Sequence, residues 1–277
     1  MKSKIVMDSS SNLQVFEGVD YACVPLKIVA GKKEFVDDRD MDVEEMVRFL
    51  KSYKGKTSTS CPGVDDYLEA FGDAEDVYCV TITSNLSGSY NSAMVAARTY
   101  LEQHPQRRVH VFDSLSTGAE MVLMAEKIRE LLAQKISFET IVQRVKSYQE
   151  KTRLMFCLES LHNLANNGRV SAAVAAMAGI LGIRALGKAS DVGTLEMVGK
   201  VRGEKKVIPE LVRHFRELGY NGGKMIIDHC SNLAAASKLR ETLLSLFPSA
   251  EVRIGRTGGL CSFYAEQGGM IIGFEVK

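Results

Sequence analysis

The chain has 277 residues, and its 45% hydrophobic and 25% charged side chains are typical of globular proteins and unlike disordered or fibrous chains. Its 35 Lys and Arg against 34 Asp and Glu leave a formal charge of +1, which does not favour a nucleic-acid partner. The longest apolar run, residues 172–183, is shorter than the roughly 20 residues that span a bilayer, so we expect no stable membrane insertion. No signal-peptide pattern precedes the first strand-like segment, which predicts a cytoplasmic protein.

The six cysteines are scattered along the chain, and no two of them have the C-x-x-C spacing of a redox or zinc motif. The five histidines do not pair with one another or with cysteines at the spacing of metal ligands. We therefore expect reduced thiols, no metal site and no cofactor.

Short apolar segments alternate with amphipathic segments along most of the chain. The segments with strand character are residues 5–7, 77–82, 109–112, 154–158, 225–227 and 252–254. The segments with helix character are residues 90–101, 119–132, 138–149 and 232–246. This alternation predicts the α/β class, with mostly parallel strands joined by crossover helices.

A charged stretch at residues 149–153 divides these units into two series. We predict two closely packed α/β domains, 1–151 and 152–277, with a ligand cleft between them. Residues 1–150 carry 18 basic and 23 acidic side chains, a net charge of −5, whereas residues 151–277 carry 17 and 11, a net charge of +6. Either these are two ordinary solvated surfaces, or the second half meets an anionic group or partner.

Four hydroxyl-rich segments are expected to be turns at strand ends. They are residues 9–11 (SSS), 57–63 (TSTSCPG), 83–89 (TSNLSGS) and 114–117 (SLST). The carboxyl ends of parallel strands meet at one edge of a sheet, where backbone N–H groups at helix starts bind carboxylates or phosphates. Each segment is also explained by the preference of Ser and Thr for helix N-caps.

The sequence lacks the common enzyme motifs: G-x-S-x-G, the phosphate-binding G-x-x-x-x-G-K-[ST], H-E-x-x-H and a complete G-x-G-x-x-G. A serine nucleophile would need a base nearby in space, which residue spacing does not reveal.

Six motifs resemble, in order, those of the DegV family of bacterial fatty-acid-binding proteins. They are DSS at 8–10, KTSTSCPG at 56–63, ITSNLSGSYNSA at 82–93, DS at 113–114, NGRVS at 167–171 and KVRG at 200–203. The resemblance spans nearly the whole chain, and the motifs are specific as an ordered set.

The resemblance implies two α/β domains that enclose one long-chain fatty acid. Its carboxylate would be held by the hydroxyls of Thr59 and Ser87, and the N–H groups of Ser60 and Gly88 are suitable further donors. The acyl chain would occupy an apolar tunnel. Residues 171–186, rich in Ala, Gly, Ile and Met, are a candidate wall for it, or else an ordinary buried helix. No catalytic residue is implied in the chain itself, which would act as a carrier.

Some members of the family present their fatty acid to a separate kinase, which makes an acyl phosphate for phospholipid synthesis. Arg169 and Arg202 match arginines of the family motifs, and the basic second half makes them candidates for docking the kinase or its phosphate. The alternatives are that Arg169 braces a helix starting near Ser171 and that Arg202 is a solvated surface charge. Two positions depart from the family pattern. AEQGG at 265–269 replaces the usual His-x-Gly-Pro-Gly, so the histidine near the head group is missing, and Arg184-Ala185 stands where a proline is more usual.

Three hypotheses follow for the function. The first is a carrier that binds one long-chain fatty acid. The second is a small-molecule hydrolase or transferase that uses Ser87, and the third is a regulatory module that senses a lipid. The lack of a hydrolase motif and of the family histidine counts against the enzyme.

Overall fold

The computed structural model describes residues 2–175 and 182–277. The strands are β1 (Ser3–Asp8), β2 (Asp20–Val24), β3 (Lys27–Ala30), β4 (Lys33–Val36), β5 (Thr57–Ser60), β6 (Asp76–Thr81), β7 (Arg108–Asp113), β8 (Thr152–Leu158), β9 (Ile183–Ala189), β10 (Leu195–Arg202), β11 (Lys224–His229), β12 (Glu251–Arg256) and β13 (Met270–Glu275). The helices are α1 (Val43–Ser52), α2 (Val64–Phe71), α3 (Ser89–Gln103), α4 (Ala119–Ala133), α5 (Phe138–Gln149), α6 (His162–Asn166), α7 (Ala172–Ala175), α8 (Glu204–Glu217), α9 (Leu233–Leu246) and α10 (Gly259–Ala265). The predicted α/β class is confirmed.

The first half of the chain builds a four-stranded parallel sheet in the order β2-β1-β6-β7. Successive side chains of a strand point to opposite faces, and β1 shows this in its packing. Ile5 and Met7 join an apolar cluster that includes residues of α4 and α5, whereas Val6 joins one that includes residues of α2 and α3. All six residues of β6 are buried, as expected for a parallel strand covered on both faces.

The second half of the chain builds a six-stranded sheet in the order β10-β9-β8-β13-β11-β12. Here the expectation of mostly parallel strands is wrong, because only β11 and β12 pair in parallel and the other four pairs are antiparallel. Helix α9 joins β11 to β12 as a crossover, while a short turn at residues 190–194 joins β9 to β10 and forces them to run in opposite directions. An apolar strand looks alike in the sequence whichever way its neighbour runs.

Residues 57–60 differ from the prediction of a turn. They form β5, the edge strand of a small antiparallel sheet in the order β4-β3-β5. Thr57 and Thr59 are half-buried, whereas Ser58 and Ser60 are exposed, which is the alternation of a strand with one covered face. Threonine favours extended backbone, so a run of hydroxyl residues fits a strand as well as a turn.

The other three hydroxyl-rich segments follow β1, β6 and β7, as predicted. Backbone hydrogen bonds join them: Gly118 N donates to Ser10 O at 2.9 Å, and Thr83 N donates to Ser116 O at 2.9 Å. These segments therefore meet at the carboxyl edge of the parallel sheet.

Helix α4 lies against both large sheets. It contacts β13 so closely that a β-carbon at Gly273 would lie 2.4 Å from the backbone nitrogen of Glu120. Glycine is required there because any side chain would displace the helix. None of the helices in the described residues is long and apolar enough to cross a membrane.

Candidate functional site

An apolar pocket opens between side chains from both halves of the chain. Its lining residues are Leu26, Thr59, Ile82, Leu86, Ser87, Thr117, Leu154, Phe156, Leu158, Leu164, Arg169, Leu195, Leu260, Cys261, Tyr264, Ala265 and Ile271. Most of these side chains are aliphatic or aromatic, and a few polar groups accompany them. This combination is typical of small-molecule sites.

Strand β8 forms much of the apolar wall. Leu154, Phe156 and Leu158 alternate along the strand, so all three side chains point to the same face of the sheet. Ile271 of β13 pairs with Phe156 and continues this surface. The sheet therefore presents a continuous hydrocarbon wall to the pocket.

Helix α10 also lines the pocket, and side chains from the first half of the chain hold it in place. The carboxylate of Asp37 accepts hydrogen bonds from Gly259 N at 2.6 Å and from Leu260 N at 2.9 Å. Asn12 Oδ1 accepts one from Gly258 N at 2.8 Å. Burial raises the pKa of Asp37, although the two N–H groups of the helix oppose the rise by stabilising the carboxylate.

The orientation of α10 places the Tyr264 hydroxyl 2.8 Å from the hydroxyl of Thr59 on β5. Burial raises the pKa of Tyr264, although the Thr59 hydroxyl and the charge of Arg169 both lower it. Tyr264 therefore stays protonated and able to donate a hydrogen bond.

Ser87 lies in the loop between β6 and α3. Its Oγ accepts a hydrogen bond from Ser89 N at 3.2 Å and lies 3.0 Å from Ser89 Oγ. Next to it, a β-carbon on Gly88 would lie 3.0 Å from Cys61 Sγ, so the segment after β5 touches this loop. The tertiary structure thus brings the segments of Thr59 and Ser87 together.

Arg169 lies at the same polar part of the pocket. Its Nε donates to Leu86 O at 3.2 Å, its Nη1 donates to Asn167 O, and its guanidinium is 6.0 Å from the ring centre of Tyr264. A positive charge beside two hydroxyl-bearing segments suits an anionic group.

Comparison with known proteins identifies the family of this chain. A family model described as "Uncharacterised protein, DegV family" matches residues 2–277. The chain belongs to the DegV family. A DegV domain-containing protein of Streptococcus pneumoniae strain R6 is 40% identical over 280 residues, which cover 100% of both chains.

Two solved DegV structures are similar to this one over nearly their whole length. A DegV family protein from Eubacterium eligens, loaded with heptadecanoic acid, is 44% identical with a TM-score of 0.97 and covers 99% of this chain and 100% of its own. The Streptococcus pneumoniae Fatty Acid Kinase (Fak) B3 protein, loaded with linoleic acid, is 40% identical with a TM-score of 0.98 and covers 100% of both chains.

The residues that the DegV motifs single out have different positions in the structure. Thr59, Ser87 and Arg169 line the pocket. Ser60 follows Thr59 and Gly88 follows Ser87 in the chain, and both are exposed. Arg202 is exposed at the end of β10, next to the glycine that precedes α8, and is not one of the lining residues found in the described part of the chain.

Sequence reasoning missed Tyr264, whose hydroxyl completes the polar part of the pocket. It immediately precedes the 265–269 segment that replaces the family histidine motif, and Ala265 of that segment lines the pocket. Residues 154–158 are apolar at every position, so the sequence predicted a buried strand there and did not show which of its two faces forms the pocket wall. Of the proposed tunnel wall at 171–186, residues 176–181 lie outside the described residues, and Val174 packs against the apolar cluster that contains Phe156.

All six cysteines are free thiols. Within residues 2–175 and 182–277, no group of three or more His, Cys, Asp and Glu side chains is arranged to hold a metal ion.

Proposed function

We propose that this DegV protein binds a single long-chain fatty acid, with its carboxylate at the polar part of the pocket and its acyl chain against the apolar walls. The observation that carries the proposal is the placement of Thr59, Ser87, Tyr264 and Arg169 on one pocket whose remaining walls are mostly hydrocarbon. The heptadecanoic and linoleic acids bound by two relatives at 44% and 40% identity support the same class of ligand.

The polar groups match the needs of a carboxylate. A charged carboxylate out of water is costly unless hydrogen bonds satisfy it. The hydroxyls of Thr59 and Ser87 are neutral donors, while Arg169 supplies the positive charge that a bound anion requires. We therefore assign Arg169 to the carboxylate of the fatty acid rather than to a kinase. The N–H groups of Ser60 and Gly88 are further donors at the edge of the pocket.

The apolar walls supply most of the binding free energy. Each buried methylene contributes about 0.8 kcal/mol, so a long acyl chain gives on the order of 10 kcal/mol before the loss of translational and conformational freedom. Leu154, Phe156 and Leu158 are each less than one-tenth exposed, so the wall that they form is kept out of water.

The protein would act as a carrier and would not itself be a catalyst. It presents the fatty acid to a separate kinase that forms an acyl phosphate, a role supported by the name of the similar Fatty Acid Kinase B3 protein. Exposed Arg202 is a candidate contact for that kinase or its phosphate.

We also propose that the chain forms two domains, 1–151 and 152–277, because the first residue of the six-stranded sheet along the chain is Thr152.

Mass spectrometry of the bound ligand tests the proposal. The purified protein is denatured and extracted, and the extract is compared with that of Thr59→Ala/Ser87→Ala prepared in the same way. A stoichiometric long-chain fatty acid in the wild type, reduced in the variant, supports the carrier. A lipid-free extract from wild-type protein that also fails to bind added palmitate would overturn it and favour an enzyme that uses Ser87.

A further inference from the structure

A second layer of hydroxyl groups lies behind Ser87, farther from the pocket. It consists of Ser89 at the start of α3 and Tyr67 on α2, and both residues have 0% of their surface exposed. Helices α2 and α3 pack against each other, and the Ser89 hydroxyl is close enough to lower the pKa of Tyr67 against the effect of burial. Ser89 is also the residue whose N–H and hydroxyl both contact Ser87 Oγ.

The Tyr67 hydroxyl is a fully buried polar atom with no hydrogen-bond partner in the described part of the chain. Such a group is costly in a folded protein, and phenylalanine would fill the same space without the cost. Burial raises the pKa of Tyr67 well above its usual value, although the neighbouring Ser89 hydroxyl lowers it, so Tyr67 keeps its proton.

Tyr100 shows that a buried tyrosine in this region can be satisfied. It belongs to the same apolar cluster as Tyr67, and its hydroxyl donates to Ala74 O at 2.7 Å and to Gly72 O at 3.1 Å. Of these two buried tyrosines, only Tyr67 has a hydroxyl without a hydrogen-bond partner in the described part of the chain.

We propose that Tyr67 and Ser89 are positioning residues that aim the Ser87 hydroxyl at a bound carboxylate. The inference rests on the proposed function. When a carboxylate is present, Ser87 donates its proton to it, Ser89 donates to Ser87 Oγ, and Tyr67 donates to Ser89 Oγ. Each of the three hydroxyls donates one hydrogen bond, and Ser89 and Ser87 each accept one, so the carboxylate at the end of the chain fixes the direction in which all three donate.

Such a chain strengthens binding. Hydrogen bonds in series polarise one another at low dielectric, which strengthens the terminal bond to the anion. The carboxylate also gives the Ser87 hydroxyl an acceptor, so that Ser89 and Tyr67 behind it donate in the same direction. The binding free energy of the ligand therefore includes a contribution from a residue that does not line the pocket.

The test measures palmitate affinity and the unfolding midpoint of ligand-free protein for Tyr67→Phe, with Tyr100→Phe as the matched control. Tyr67→Phe should lower the affinity about three- to tenfold while the unfolding midpoint stays the same or rises. Tyr100→Phe should lower the midpoint and leave the affinity unchanged. In a Ser87→Ala background, Tyr67→Phe should have no further effect on affinity.

The outcomes separate this inference from the proposed function. Wild-type protein that binds no palmitate overturns both. Wild-type protein that binds palmitate, with unchanged affinity in Tyr67→Phe, overturns the relay alone. An undiminished effect of Tyr67→Phe in the Ser87→Ala background also overturns it, because the effect would then not pass through Ser87.

Discussion

The hydroxyl oxygens of Thr59 and Tyr264 lie 2.8 Å apart although 205 positions separate the two residues in the chain. Thr59 belongs to the small antiparallel sheet, and Tyr264 belongs to a helix that Asp37 holds by its first N–H groups. The contact therefore joins the two halves of the chain at the polar part of the pocket.

Tyr264→Phe should weaken palmitate binding about three- to tenfold, because it removes one neutral hydrogen-bond partner from the head-group region. A ligand-displacement titration measures the change. Tyr148→Phe is the matched control, since that hydroxyl also joins the two halves, through Glu275, but does not line the pocket. Equal affinities of Tyr264→Phe and wild type would exclude a role for this hydroxyl.

Replacing both Thr59 and Ser87 with alanine should lower fatty-acid affinity at least tenfold while the protein remains folded. In the proposed complex each hydroxyl donates to a charged acceptor, an interaction worth about 1.5–3 kcal/mol. Both side chains are only half-buried, so their loss should change the unfolding midpoint little. Unchanged affinity in the same titration would show that the carboxylate lies elsewhere.

Octanoate should bind far more weakly than palmitate. The two acids share a head group and differ by eight methylenes, so at about 0.8 kcal/mol each the difference is several kcal/mol. Calorimetric titration of both acids measures it, with Thr59→Ala/Ser87→Ala as the control that should weaken both acids by a similar factor. Similar affinity for the two acids would mean that only the head group is recognised.

Arg169→Ala should weaken palmitate binding about tenfold or more, because Arg169 supplies the positive charge at the pocket. Arg202→Ala should leave the affinity unchanged, since that side chain is exposed at the end of β10. With a fatty acid kinase present, Arg202→Ala should slow acyl-phosphate formation, more so at low salt. Loss of lipid from Arg202→Ala would instead assign this residue to the pocket or the fold.

The buried carboxyl of Asp228 should make the free energy of unfolding decrease as pH rises. Burial raises the pKa of this carboxyl from 3.8 to about 7, although the hydrogen bond from Asn12 lowers it. The native protein therefore holds a proton that the unfolded chain releases above about pH 4, so stability is lost between about pH 4 and pH 7. Burial likewise raises the pKa of Asp8 to about 6, which adds a loss in the same direction.

Asp228→Asn should remove the pH dependence that the Asp228 carboxyl causes. The amide oxygen of the new side chain can still accept the hydrogen bond from Asn12 Nδ2. Urea unfolding at pH 5 and pH 8 measures the stability difference between the variant and wild type. Relative to wild type, the variant should be more stable at pH 8 than at pH 5 by about 2–3 kcal/mol. This follows from roughly 1.4 kcal/mol per pH unit over the range in which only the unfolded chain loses the Asp228 proton. The contribution of Asp8 is common to both proteins and cancels. A difference that is the same at both pH values would contradict the prediction.

Much of the local structure could be predicted from residue order. The buried strand at 77–82, the helix at 138–149 and the strand–helix–strand unit from 225 to 254 all occur close to the predicted bounds. The predicted strands and helices are short in range, since alternation and turn-forming residues act over a few positions. The DegV motifs also indicated Thr59 and Ser87 for the carboxylate and Arg169 for a kinase or its phosphate, and the structure places all three on one pocket.

Only the tertiary structure decided the direction of β8 and β9, the strand at 57–60, and the partner of Thr59. Strand direction depends on the connection that the chain follows in space, and an edge strand of hydroxyl residues depends on a neighbour to pair with. Tyr264 reaches Thr59, and Tyr67 lies behind Ser89, because whole helices are positioned by caps and close packing. Those contacts join residues that are far apart in the chain. They form only when the helices and sheets pack together, so the spacing of residues in the sequence does not predict them.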